Sequence, residues 1–257
     1  MPVAARVAAL RNDPAFATLS RSLQVYYGHA DRDAAMDSLY RRFLSAGQLA
    51  FDIGSHVGDR IGSFRRLGAR VLALEPQPLC ARAIRAIYAG DSNVVLLEAA
   101  CAATPGRLTL SINSANPTVS TASAEFVAAA AGAGGWEGQR WDAQVEVPCT
   151  TLDALMSLYG APAFAKIDVE GFEDVVLAGL TQPLPALSFE FTTIQRDVAY
   201  RCLARLDCLG RYGFDLALGE SQALTFHDWR SAAEMAQHLA GLPHAANSGD
   251  IYCVLQS

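Results

Sequence analysis

The sequence has no pair of cysteines at C-x-x-C spacing, although six cysteines are scattered through it (Cys80, Cys101, Cys149, Cys202, Cys208 and Cys253). That excludes a redox dithiol motif and a zinc ribbon. Most of the six sit in apolar surroundings, as buried thiols do in a reducing cytoplasm. No apolar run approaches the length of a membrane span, and the opening MPVAARVAALRNDP lacks the apolar stretch of a secretory signal, so a cytoplasmic chain off the membrane is expected. Basic charge is also short. At a net charge of −6, the usual electrostatic attraction to nucleic acid or an anionic bilayer is missing. His238 and His244 do not have zincin spacing and no Cys/His cluster occurs, so no metal ligands are assigned. The dinucleotide fingerprint G-x-G-x-x-G is absent too.

What is present is a 257-residue chain, 51% apolar and 18% charged, enough for one α/β domain with additions. Its organising stretch is LAFDIGSHVG, residues 49–58. Leu49, Ala50, Phe51 and Ile53 form a short apolar run, the pattern of a strand buried on both faces of a parallel sheet. The loop that follows holds Asp52, Gly54, Ser55 and Gly58 in the spacing D-x-G-x-x-x-G, ahead of a helical pattern of Ile61, Phe64 and Leu67. Glycine at 54 lets the chain turn close to a ligand, and glycine at 58 lets the helix start near the sheet. An acid at position 52 repels a pyrophosphate but accepts hydrogen bonds from an ammonium group, as in the methionine part of S-adenosyl-L-methionine. The next strand, VLALEP, ends in Glu75 and is halted by Pro76; an acid there is placed for the two ribose hydroxyls of a nucleoside. A third strand, residues 93–97, leads to Glu98 and Ala99, an acceptor for an adenine amine and a small residue that leaves room for the ring. A plain surface carboxylate explains Glu98 as well.

The other stretch that carries chemistry is AFAKIDVEGFE. A strand over 163–169 would put Lys166, Asp168 and Glu170 on one side by period-two alternation, near the end where open α/β sheets bind ligands. Three ionisable groups at one strand end must pair or face a polar cleft. Asp168 is the candidate to orient the donor's amino end or to take a proton from an acceptor hydroxyl, Glu170 is the second candidate base, and Lys166 their partner; Glu173 suits the next helix N-terminus.

FDIGSHVG, ALEPQP, TTLDAL (residues 150–155) and AKIDVEGFE occur in the order and spacing of FkbM-type S-adenosylmethionine-dependent methyltransferases, and the chain resembles that family over about residues 50–190. KIDVEGFE is the most specific piece. The resemblance implies a class I methyltransferase fold, a Rossmann-like, mostly parallel seven-stranded sheet of order 3-2-1-4-5-7-6. It also implies S-adenosyl-L-methionine as cofactor and methyl transfer to an oxygen of a small molecule or sugar. His56 departs from the small or amide residue the family often carries in the loop.

Residues 1–47 are expected to form a helical extension, with helices around Phe16 to Tyr26 and Met36 to Phe43, that covers the sheet or joins two copies of the chain; residues 48–257 form the methyltransferase domain. Within it, residues 113–144 are rich in Ala, Gly, Ser and Thr and read as a lid-like insertion carrying Trp136 and Trp141. Further strands are expected at 186–191, 212–218 and 250–255, and Thr150 with Asp153 resembles a capping box. Two other readings remain at this point: a nucleotide-dependent oxidoreductase, and a non-catalytic protein that keeps the donor pocket.

Overall fold

Three helices open the chain in the computed structural model, which describes residues 1–256. They are α1 (Val3–Arg11), α2 (Ser20–Tyr26) and α3 (Ala30–Tyr40), with a 3₁₀ turn over Pro14–Leu19 whose first N–H groups are capped by Asp13. Strands and helices then alternate: β1 (Leu49–Ile53), α4 (Asp59–Arg66), β2 (Arg70–Leu74), α5 (Pro78–Ile87) and β3 (Val94–Leu97). A smaller sheet follows, made of β4 (Ala100–Cys101), β5 (Gly106–Ile112) and β6 (Ala143–Thr150), with α6 (Ala124–Ala130) in the span between the last two. The chain ends with α7 (Leu152–Tyr159), β7 (Phe164–Ile167), α8 (Glu173–Ala178), β8 (Ala186–Thr192), α9 (Arg196–Leu209), β9 (Tyr212–Leu218), α10 (Ala232–Gly241) and β10 (Ser248–Leu255).

The main sheet runs β3-β2-β1-β7-β8-β10-β9, parallel except for β10, which is antiparallel to both its neighbours. Once the small sheet is set aside, this is the order 3-2-1-4-5-7-6. Alternation along the strands splits the core in two. Phe51, Ile53, Leu72, Leu74, Ile167 and Phe189 pack on one face with α8, α9 and α10. Ala50, Val71, Ala73, Phe164 and Tyr252 pack on the other with α1 to α5. The extension therefore shares the core of the domain. Met36 and Tyr40 of α3 are wholly buried, and Tyr40 meets Phe64 edge-on at 4.8 Å.

Helix α1 is an addition to the sequence reading; only Val7 and Leu10 of it are buried, too sparse a pattern to predict it. The insertion is a folded piece: Val119, Phe126, Ala130 and Trp136 form a small core of their own, with Phe126 and Trp136 perpendicular at 5.2 Å. The α7 cap falls at Thr151, whose hydroxyl accepts from the N–H of Ala154, one residue later than expected. Among the described residues no helix is long and apolar enough to cross a membrane, and all six cysteines are free.

Candidate active site

Strands β1 and β2 deliver Asp52 and Glu75 to one cleft at the carboxyl ends of the strands. Register explains the meeting: Ile53 pairs with Leu74, so the residues that end the two strands come level. The loop after β1 hooks onto β2, with the N–H groups of Gly54 and Ser55 both donating to the Leu74 carbonyl at 2.9 and 3.0 Å. Gly54 has φ +84°, and a β-carbon there would overlap the Asp168 carbonyl. Gly58, also at φ +84°, begins α4 against the ring of Tyr88. No other residue type takes both positions without strain.

Asp52 is 1% exposed, and its Oδ2 is buried without a hydrogen-bond partner. Burial, with the charge of Asp59 adding to it, pushes its carboxyl up to about 7. Glu75 is held by main-chain donors: Oε2 accepts from the N–H of His56 at 2.7 Å and Oε1 from that of Gln77 at 2.8 Å. Burial pushes it up to about 8. Pro76, Ala99 and Leu110 supply apolar wall. Glu98 does not join them, which corrects the sequence assignment. At the end of edge strand β3 it turns outward to pair with Arg85 of α5 at 2.6 Å.

His56 sits beside the cleft with φ +48°, its ring near Thr118 Oγ1 (3.3 Å) and edge-on to Tyr26 (5.9 Å). Burial lowers it to about 4, so it is neutral at physiological pH. Among the described residues, four other than glycine have positive φ, and three of them (His56, Glu170 and Asn247) line this cleft or the one beside it. Backbone strain of this sort collects where a site is shaped.

A second cavity adjoins the first and shares Tyr26, Arg60, Asp168, Glu170 and Glu220 with it. Lys166 lines the first, and its partner Asp250 lines the second. It is the only lysine in the sequence, 1% exposed, and its ammonium donates to Asp168 Oδ2 at 2.9 Å and to Asp250 Oδ1 at 2.8 Å. Burial works against that charge, yet Asp168 and Asp250 hold the ammonium well above its ordinary value. Lys166 is thus a clamp between strands, and Asp168, with its side chain 32% exposed, is the member of the trio open to the cavities.

Glu170 reaches the same space by a different route from the one alternation suggests. Strand β7 stops at Ile167, and Glu170 enters from a left-handed turn at φ +58°. Glu173 is more than a helix-dipole partner: it is buried and accepts from the N–H groups of Val169 at 2.9 Å and Gly171 at 3.3 Å, which braces that turn. Burial raises it to about 8.

Several lining residues had no signal in a linear reading. Arg32, Asp59, Arg60 and Glu220 form a closed ring of ion pairs at 2.8 to 3.1 Å, joining the extension, α4 and the loop after β9. Burial opposes the charge of Asp59, but Arg60 and Arg32 hold its carboxyl below the usual range. Tyr26 packs against Arg32 at 5.2 Å. The insertion adds Thr118 to both cavities, Ser120 to the first, and Val119 and Trp136 to the second. It is held down by Thr121 Oγ1 on the Glu170 carbonyl (2.7 Å) and by His244 on the Gly134 carbonyl (2.8 Å). Of the clamp, alternation along the strand gave Lys166 with Asp168, whereas Asp250 joins it from β10, 84 residues on.

An open α/β sheet of this order, with acids closing its first two strands around a cleft, defines a class I methyltransferase. The family described as the methyltransferase FkbM domain matches residues 52–216, and the chain belongs to that family. No curated protein is significantly similar to it. Among solved structures, the chain is similar to precorrin-6y C5,15-methyltransferase from Geobacter metallireducens at 16% identity, covering 90% of each chain, with a TM-score of 0.46. It is similar to a TehB-like SAM-dependent methyltransferase from Corynebacterium glutamicum at 10% identity, covering 97% of this chain and 99% of that one, with a TM-score of 0.46. The protein is an S-adenosyl-L-methionine-dependent methyltransferase, and family membership sets the oxidoreductase reading aside.

Proposed function

We infer that the protein transfers a methyl group to a hydroxyl oxygen of a small molecule or sugar, with the donor in the first cavity and the acceptor in the second. The observation that carries this reading is the shared wall: Asp168 and Glu170 line both cavities. A carboxylate at such a junction can meet a hydroxyl proton on one side while the donor occupies the other.

The residues present suit the cofactor. Asp52 Oδ2, buried and without a partner, is an acceptor for an ammonium group. Glu75, each of whose oxygens already takes one main-chain N–H, has lone pairs left to accept from a pair of hydroxyls. Ala99 and Leu110 leave a flat apolar space for a base. When bound, the cofactor supplies a methyl group activated by positive sulfur. The chain's own task is orientation: Lys166 fixes the Asp168 carboxylate by Oδ2, and Asp168 orients the acceptor hydroxyl and takes its proton, with Glu170 behind it. Trp136 and Val119 of the insertion cover the acceptor side and limit water, the role of a lid.

The acceptor is small because Trp136, Tyr26, Arg60 and Glu220 wall its cavity. The experiment is calorimetric titration with S-adenosyl-L-methionine, followed by transfer of labelled methyl to a panel of polyols, sugars and phenols. Donor binding with no transfer to any of them would favour a protein that only holds the donor.

A further inference from the structure

One oxygen from each of Asp168, Glu170 and Glu190 lies within 4.8 Å of the other two, at the junction of the two cavities. They come from three places that spacing could not link: the end of β7, the left-handed turn after it, and β8. Like charges gathered in this way repel, and they gain little from the protein around them. Glu170 is 8% exposed, yet its carboxylate makes no hydrogen bond or ion pair; only its main-chain carbonyl is engaged, by Thr121. Glu190 Oε2 is likewise buried without a partner. Glu190 also stands directly opposite Asp250 in the antiparallel β8–β10 register, which sets two acids side by side. Lys166 relieves only part of this, since its ammonium is already bonded to Asp168 Oδ2 and Asp250 Oδ1.

We propose that Asp168, Glu170 and Glu190 form a binding site for a hard divalent cation. Oxygen ligands opposite one another are about 4.0 to 4.2 Å apart around magnesium and about 4.6 to 5.2 Å apart around calcium. Three oxygens within 4.8 Å of one another fall inside the span of opposite ligands around calcium and would have to draw together around magnesium, so the group matches the larger ion better. All-carboxylate donors suit magnesium, manganese or calcium, and the site offers none of the imidazole or thiolate ligands that zinc and copper sites usually carry. With three ligands from the protein, the remaining coordination positions face the second cavity, where two neighbouring oxygens of an acceptor could enter. The cation would explain why a pair of unpartnered acids is kept at this junction. The absence of Cys/His spacing, on which the sequence reading assigned no metal ligands, does not bear on a site built from carboxylates of separate elements.

What the ion does for an acceptor rests on the methyl-transfer reading above; that it binds does not, and the test separates the two. Manganese and calcium are titrated calorimetrically into the full chain without donor or acceptor, and thermal unfolding is followed in parallel. The expected result is one saturable site at low millimolar concentration or below, with a cation-dependent rise in Tm. Glu190→Gln and Glu170→Gln should each weaken binding by about tenfold or more and remove the rise, while raising the Tm of the cation-free protein because repulsion is relieved. Those opposite shifts separate loss of a ligand from misfolding. Absence of saturable binding, or binding that survives both substitutions, would overturn the site. Binding without any cation dependence of methyl transfer would leave the site standing and remove its part in acceptor recognition.

Discussion

A β-carbon on Gly54 would overlap the main-chain carbonyl oxygen of Asp168, so the loop after β1 and the segment after β7 are packed backbone to backbone. Gly54→Ala must both adopt a left-handed backbone, at about 1–2 kcal/mol, and push Asp168 away. Lower stability in chemical denaturation and loss of donor binding by calorimetry are expected together. A variant with wild-type donor affinity would show that the two loops move independently.

The two strand-end acids should control donor affinity. Glu75→Ala and Asp52→Asn are each expected to weaken S-adenosyl-L-methionine binding by more than about tenfold, the loss of a charge-assisted contact, with the fold intact by circular dichroism. Unchanged affinity would remove the assignment.

Their raised values also give a pH dependence of definite sign. In the free protein burial pushes Asp52 to about 7 and Glu75 to about 8. Between the ordinary carboxylate range and these values the folded chain holds protons that the unfolded chain has released, so this contribution to stability is full at low pH and is lost as pH rises through the window. Donor binding runs the other way, because the ionised carboxylates are the acceptors. Affinity should climb with pH up to about 8, and Asp52→Asn should flatten the part of the curve near 7. Calorimetry over this range, with denaturation midpoints on the same samples, reads both slopes.

Asp168→Asn keeps the shape of the side chain and removes its charge. It should lower kcat by about 10²-fold or more, within the span of general-base effects, while donor Kd changes little. Equal turnover would exclude Asp168 as base or orienting group.

Trp136→Ala opens the second cavity, proposed above to take the acceptor, and removes the partner of Phe126. The acceptor KM should rise several-fold with donor affinity nearly unchanged, since Trp136 touches the second cavity and not the first. Unaltered acceptor kinetics would reduce the insertion to packing.

The parts legible in the sequence are those that local physics fixes. Strands buried on both faces, such as 49–53 and 186–192, declare themselves as apolar runs, and Asp52, Gly54 and Glu75 follow from the turn chemistry at their ends. Glu98 was misplaced because nothing local says which way a residue turns at the edge of a sheet, and Arg85 decides it. Glu170 was placed on the correct side for the wrong reason, since the strand ends before it and a left-handed turn brings it back. The Ala-rich segment 124–130 hid a helix because alanine gives no apolar period, and its core partners, Trp136 and Val119, lie outside it. Tyr26, Arg60, Glu190, Glu220 and Asp250 belong to the cavities through pairings between distant strands and loops, which only the folded chain displays.

The ring of Arg32, Asp59, Arg60 and Glu220 has a wider implication for this family. The block that marks membership, residues 52–216, contributes Asp59 and Arg60, whereas Tyr26 and Arg32 precede it and Glu220 and Asp250 follow it. Two proteins that share the block and differ in their tails would therefore keep the strand-end acids Asp52 and Glu75 and differ in one wall of each cavity, since Tyr26 and Glu220 line both. Diversification of what is methylated could thus proceed at the chain ends while the common machinery stays untouched.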